Sequence, residues 1–383
     1  MRNVLYITHD GLLDPLGQSQ ILPYLYGLSD NFNISVLSFE KKDKLNTEEH
    51  VKLKKKLNEK NINHKYLRFL SKLFLPWLIF TGFVKGIKIV KKNEVNFSHA
   101  RGFTPCIISW LLKKTLNIPF IFDMRGFWVE ERVDAGIIKK GKVFKILKKI
   151  EKTLLSNADH ITVLTKAAKQ ELISRYNVST PISVIPTCVD TTKFTYKKHN
   201  YKKIKLLYLG SCGTFYNFNL VLFFFKLLNE KTDSNLTLTL NNPECITKEN
   251  IKEINSNKNI FLFKKLKRTE VPKLIKTSNF SIFFYKTPNS GKGFFPTRMG
   301  ESLACGLPVI TNGGVGDCSE IIEENRIGVI LDEPNEKTIS KAIKRILELV
   351  KDDQLNKRCR TFAENYLSLK KGVEKYENIY ETI

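Results

Sequence analysis

Residues 286–322 read KTPNSGKGFFPTRMGESLACGLPVITNGGVGDCSEII. A polar, glycine-containing loop runs to Pro296-Thr297, and a helical pattern carrying Arg298 and Glu301 follows. Leu307-Pro308-Val309-Ile310 reads as a buried strand, and Asn312-Gly313-Gly314-Val315-Gly316-Asp317 as a second loop. The physics of such a segment suits a diphosphate. Unpaired N–H groups at a helix start, with the positive dipole end, bind phosphate oxygens. Arg298 supplies charge directly, and Thr297 stands where it caps the helix or touches a phosphate. Glu301, one turn in, is placed to accept hydrogen bonds from both hydroxyls of a ribose. The competing reading is a plain capped helix with a surface glutamate.

The same alternation continues on both sides. Strand patterns precede the segment at residues 205–209, 236–240, 260–263 and 280–284, and another follows at 328–331, with helical patterns between them. The first half repeats the scheme, with strands at 3–8, 34–39, 95–98, 120–122 and 161–164 and a helix from about 18 to 29. Strands alternating with helices indicate a parallel sheet covered on both faces. Residues 186–201 interrupt the alternation. The expected organisation is therefore a doubly wound domain over 1–190, a linker over 191–203, a second doubly wound domain over 204–365, and a C-terminal helix over 366–383 packing back on the first domain. At 383 residues, two cores are also what chain length favours.

Lysine and arginine number 63 against 38 acidic residues, a formal charge of +25. The excess favours anionic partners such as nucleotide phosphates or an acidic membrane surface. It is equally explained by solvated basic helix faces. Seven scattered cysteines with no C-x-x-C pair argue for reduced thiols and against a disulfide framework or zinc site. The apolar run at the start is too short for a signal peptide, so a cytoplasmic location is expected, peripheral on the inner membrane face. Residues 69–90, FLSKLFLPWLIFTGFVKGIKIV, are interrupted by Lys72, Pro76, Lys85 and Lys88 and do not read as a span. They are either a buried helix or one whose apolar face touches a bilayer while its lysines meet lipid phosphates.

Four further segments carry candidate chemistry. The loop 8–20, THDGLLDPLGQSQ, follows the first strand, and Gly17 would let backbone approach a diphosphate or donor sugar closely. Ser98-His99-Ala100-Arg101-Gly102 and residues 122–132, FDMRGFWVEER, both follow apolar strands. In the second, Asp123 and Arg125 are catalytic candidates. Arg101, Trp128, Glu130 and Glu131 are candidates for binding an acceptor, the indole as an apolar platform for a sugar ring. The alternative is a structural Asp–Arg pair and a packed His99. Residues 210–214, GSCGT, suit close approach to phosphates through Ser211 and Gly213, with Lys292 and Arg298 as the cations facing them. Residues 261–268 follow a strand and are candidates to frame a base.

Together these motifs resemble family 4 glycosyltransferases. Residues 293–309 resemble the donor signature of that family, a Glu-x7-Glu pair, a helix and a G-x-P-V strand, with Glu301 at the second glutamate and Gly293 at the first. The P-T-R-x-x-E string resembles the P-T-K-x-x-E variant, and the H-D-G-x-x-D-P-L-G-Q-S-Q string a subgroup that assembles bacterial polysaccharides. The resemblance implies a GT-B fold, two Rossmann-like domains with the donor mainly on the second. It implies retaining transfer from a nucleotide-diphosphate sugar to a glycan or lipid-linked acceptor, with no cofactor and no metal. The leaving diphosphate would itself help deprotonate the acceptor. Departures are Ser211 where relatives place an arginine, and Asp123 and Arg125 where many carry a histidine.

No Asp-x-Asp pair, phosphate-loop lysine motif, G-x-G-x-x-G or G-x-S-x-G occurs. A GT-A transferase, kinase, dehydrogenase or hydrolase is therefore not expected, nor is a nucleic-acid partner. The alternatives kept open are a sugar-nucleotide 2-epimerase on the same fold and a non-enzymatic module binding anions or membrane.

Overall fold

Seven strands build the first sheet: β1 (Asn3–Thr8), β2 (Asn33–Glu40), β3 (Asn63–Arg68), β4 (Phe97–Arg101), β5 (Phe120–Asp123), β6 (His160–Val163) and β7 (Ile182–Val184). Six build the second: β8 (Ile204–Gly210), β9 (Ser234–Leu240), β10 (Ile260–Phe263), β11 (Phe280–Ile282), β12 (Val309–Asn312) and β13 (Gly328–Leu331). This computed structural model describes all residues except 70–74, 241–243, 245, 264–265 and 287–288. Cys245, the Lys264-Lys265 pair and part of the apolar run 69–90 lie outside the described residues.

The first sheet has the order β3-β2-β1-β4-β5-β6-β7 and belongs to a unit of residues 1–186 with 369–383. The second has the order β10-β9-β8-β11-β12-β13 within residues 187–368. Every pairing between these strands is parallel. Each order reverses once, between β1 and β4 and between β8 and β11. In open parallel sheets the crevice beyond the strands' carboxyl ends at such a reversal is where ligands bind.

β3 and β7 were not expected from the sequence. Asn63–Arg68 is polar and only partly buried, because it lies at the sheet edge and needs no continuous apolar run. The helix expected from 18 to 29 is two helices, Pro15–Gln20 and Leu22–Leu28, separated at Ile21. Pro23, which has no N–H to give to the helix ladder, follows the break.

The residues expected as a linker are folded onto the second unit. Phe194 is 3% exposed, Lys197 N donates to Cys305 O at 3.1 Å, and His199 N donates to Asn356 Oδ1 at 3.1 Å. The last helix, Leu369–Thr382, belongs to the first unit and drives Tyr376 and Tyr380 into its core. Tyr380 packs edge-on against Phe32 and Phe97, Tyr376 against Tyr24, and Arg2 Nη1 donates to Tyr380 O at 2.7 Å. Fully burying each aromatic contributes about 2–3 kcal/mol. Cys106, Cys188, Cys305, Cys318 and Cys359 are free and buried. Cys212 is disulfide-bonded, which corrects the expectation of reduced thiols throughout. No helix among the described residues is long and apolar enough to cross a membrane.

Candidate active site

In the second unit, three segments converge at the reversal between β8 and β11. β8 ends at Gly210, whose φ of +133° is open to glycine and strained for other residues. A Cβ there would lie 2.3 Å from Arg298 Nη2, so the guanidinium is laid against this glycine's backbone. Residues after β11 form a short turn, Asn289–Gly293, before the helix Thr297–Ala304. Residues after β12 are tied to both. Asn312 Oδ1 accepts from Tyr285 N at 2.8 Å, Asn312 Nδ2 donates to Tyr285 O at 3.0 Å, and Gly316 N donates to Gly291 O at 2.9 Å.

Arg298 is the central side chain. It is 8% exposed, and its guanidinium carbon lies 4.5 Å from the Tyr216 ring centroid, 5.5 Å from Tyr208 and 5.6 Å from Phe283. Among the described residues no carboxylate pairs with it, and its buried Nη1 has no hydrogen-bond partner. A buried cation with no carboxylate partner costs several kcal/mol, a cost that an anion brought against it would relieve. The aromatic faces moderate that cost through their negative quadrupoles.

The other donor-side candidates fall around it unevenly. Pro296, not Thr297, is the N-cap of the helix; Thr297 is its first residue, partly exposed, and makes no capping hydrogen bond. Glu301 is 3% exposed and forms an ion pair with Arg268, a partner that sequence spacing did not reveal. Its Oε2 makes no hydrogen bond among the described residues and remains available. Ser211 O accepts from Tyr208 Oη at 2.5 Å, while Ser211 Oγ accepts from Gly213 N at 3.2 Å, which folds the turn after β8. Lys292 is exposed on the turn Asn289–Gly293.

In the first unit, the carboxyl ends of β4 and β5 carry a buried charge cluster. Asp123, 1% exposed, has His99 Nε2 and Arg101 Nη1 at 3.4 Å, Arg125 Nη1 at 3.5 Å and Thr162 Oγ1 donating at 2.8 Å. Burial opposes its charge, but Arg125, the His99 hydrogen bond and Arg101 outweigh burial and hold the carboxyl far below the usual range. A carboxylate so held is an anchor for its neighbours and a poor proton acceptor. His99 is packed, with Nδ1 2.6 Å from Tyr380 Oη, and burial lowers its pKa, keeping it neutral.

The acceptor-side candidates separate in the same way. Trp128 does not offer a free face: it stacks on Phe103 at 4.5 Å, and Arg132 lies 3.9 Å over the indole. Glu130 is buried between Lys148 at 2.7 Å and Arg175 at 2.8 Å, which occupies it in holding helices together. Glu131 instead lines a cavity of about 80 Å³ with Gly102, Met124, Arg125 and Trp128. Burial pushes its carboxyl up to about 7, opposed by Arg132 and reinforced by Glu130. Gly17 has a structural reason that sequence could not show. A Cβ there would lie 2.2 Å from Gly11 O and 2.6 Å from Leu12 O, so its own loop presses on it. Among the described residues no group of three or more His, Cys, Asp or Glu side chains is placed to hold a metal ion.

The raised pKa of Glu131 has a measurable consequence. The folded state holds this proton more tightly than the unfolded chain, whose glutamates titrate near about 4.3. Stability therefore falls as pH rises from about 4 to about 7 and is flat above. Glu131→Gln is expected to remove that slope, read as melting temperature against pH. A slope identical to wild type would place the proton elsewhere.

Residues 190–366 match the family described as glycosyl transferases group 1, and residues 28–193 match glycosyltransferase family 4. The chain is a family 4 glycosyltransferase. No curated protein sequence matches this glycosyltransferase. Its structure is similar to sucrose-phosphate synthase from Thermosynechococcus elongatus, with TM-score 0.76 and 12% identity over 100% of this chain and 99% of that one. It is similar to Anabaena HepE in complex with UDP and glucose, with TM-score 0.71 and 12% identity over 100% of both chains. It is also similar to S. aureus MnaA with UDP, with TM-score 0.60 and 17% identity over 99% and 95%. The family 4 glycosyltransferase thus has the GT-B architecture, each unit a parallel, Rossmann-like sheet, and its activity is the transfer of a sugar.

Proposed function

We propose that the donor is a UDP-sugar, that its diphosphate is received by Arg298, and that transfer needs no metal. The buried, unpaired guanidinium over Gly210 carries this reading. The N–H groups opening the helix Thr297–Ala304 and the turn after β8 at Ser211–Gly213 would share the load, with Lys292 at the rim. As the glycosidic bond to the diphosphate breaks, these groups stabilise the negative charge left on it. Glu301, fixed by Arg268, keeps Oε2 for a ribose hydroxyl. Uracil is the base preferred because HepE and MnaA were solved with UDP.

The acceptor is a glycan or a lipid-linked molecule. Its hydroxyl enters the cavity lined by Glu131, Arg125 and Trp128. Asp123 acts as a positioning residue for Arg125 and Arg101, with no proton to take. The +25 charge suits an anionic membrane surface.

A thermal-shift screen against UDP, GDP, ADP and CMP with EDTA present tests the donor. A ligand at 100 times its Kd stabilises by about 2.7 kcal/mol, so UDP should give a clear shift. A shift with another base alone, or only with metal restored, would overturn the assignment. Glu301→Ala is expected to weaken UDP binding about tenfold or more by calorimetry, the scale of a hydrogen bond to a charged group. Unchanged affinity would remove Glu301 from the ribose. A 2-epimerase would release epimerised nucleotide-sugar without acceptor, which this reading does not allow.

A further inference from the structure

The first unit exposes two apolar stripes that neither the core nor the site uses. On the helix Leu75–Asn93, Trp77 is 54% exposed, Phe80 55% and Val84 37%, at spacings of three and four that put them on one face. The Trp77 and Phe80 rings lie 5.8 Å apart. Ahead of and along the helix Lys142–Asn157, Ile137 is 58% exposed, Val143 57% and Ile146 58%. Isolated exposed hydrophobics need no explanation, but two grouped sets do.

The two sets share a position in the fold. The helix Phe103–Leu116 packs against both carrier helices, through Ile108 and Leu112 beside Leu78 and Ile89, and through Phe103 and Cys106 beside Leu154 and Leu155. The three form one layer on one face of the sheet. A helix joining two parallel strands runs back against them, so its first turn lies at the strands' carboxyl ends. Trp77 and Val143 lie on first turns, and Phe80 and Ile146 at the start of or within the second. Both stripes therefore sit at the end of the sheet that carries Arg125 and Glu131.

Charge gives the occupant. Residues 75–93 contain Lys85, Lys88, Lys91 and Lys92 and no acidic residue. Residues 135–150 contain Lys139, Lys140, Lys142, Lys145, Lys148 and Lys149 and again no acidic residue. Of these only Lys148 is tied inward, to Glu130 and Glu151. On the helix Lys142–Asn157 the apolar residues interleave with lysines, and on the helix Leu75–Asn93 the lysines begin beside Val84, at Lys85 and Lys88; with no carboxylate in either stretch, this matches the interface of a bilayer, acyl chains below and anionic headgroups around.

We propose that the two stripes are a single docking face for an anionic bilayer, and that it presents the cavity at Glu131 to an acceptor anchored in that bilayer. This deepens the transferase reading and rests on it for the acceptor alone. Docking is tested without nucleotide, by co-sedimentation with phosphatidylcholine vesicles with and without phosphatidylglycerol. Wild type should sediment with the anionic vesicles. Trp77→Asp with Phe80→Asp, and Val143→Asp with Ile146→Asp, should each lower partitioning by about tenfold. All four substitutions are on the surface, and an unchanged UDP affinity and melting temperature would confirm the fold. Vesicle binding that survives either pair, or that occurs with no dependence on phosphatidylglycerol, overturns the proposal. So does a dimer in solution that the same substitutions dissociate, because the occupant is then a second copy. Loss of nucleotide affinity in wild type would instead sink the donor assignment and leave docking intact.

Discussion

Arg298→Met should lower kcat/KM by about 10²–10³-fold and leave the melting temperature unchanged or raised. The two halves of that result come from one fact, that the guanidinium is buried among Tyr208, Tyr216 and Phe283 with no carboxylate beside it. In the free protein it is a buried cation with aromatic faces but no carboxylate beside it, and an apolar side chain of similar length removes its desolvation cost. In the transition state it faces charge gathering on the departing diphosphate, where one preorganised donor is worth about 3–4 kcal/mol. Steady-state kinetics and a melting curve on the same preparation read both. A loss of stability with rate intact would show Arg298 to be a packing residue. The separation from folding defects is what Gly210→Ala cannot give, since its Cβ would collide with the same guanidinium and strain the backbone as well.

Asp123→Ala should destabilise the first unit by about 3–5 kcal/mol, the cost of stranding buried positive charge. Arg101 and Arg125 both lean on this carboxylate, with His99 and Thr162 filling its other directions. For a unit of this size the melting temperature should fall by roughly 10 °C. The pH dependence has a definite sign. The folded carboxyl is held below the unfolded one, so its stabilisation is complete above about pH 4 and is lost as pH falls further. Wild type should therefore lose stability steeply below about pH 4, and the variant less so. If Asp123→Ala melts like wild type at neutral pH, the cluster is not what secures this end of the sheet.

What the sequence made legible was whatever depends on neighbours within a turn or a strand. Two doubly wound units followed from alternating patterns, and so did the placing of Arg298 and Glu301 on one short helix. Contacts between distant segments were not legible. Nothing near Trp128 says that Phe103 already stacks on it, and nothing near Glu301 says that Arg268 folds onto it. Glu130 and Glu131 look equivalent as text. Their helix turns one toward Lys148 and Arg175 and the other toward a cavity. Polar edge strands such as β3 escaped because an edge lacks the apolar run that marks a buried strand.

The final helix sets an order of events during synthesis. Tyr376 and Tyr380 complete a core whose other walls, Tyr24, Phe32 and Phe97, leave the ribosome far earlier. The first unit thus emerges before the piece that closes it, whereas residues 187–368 are complete in themselves. Nascent chains stalled short of residue 369 should accordingly display a protease-resistant second unit beside a first unit still open to cleavage, the reverse of the usual N-to-C sequence.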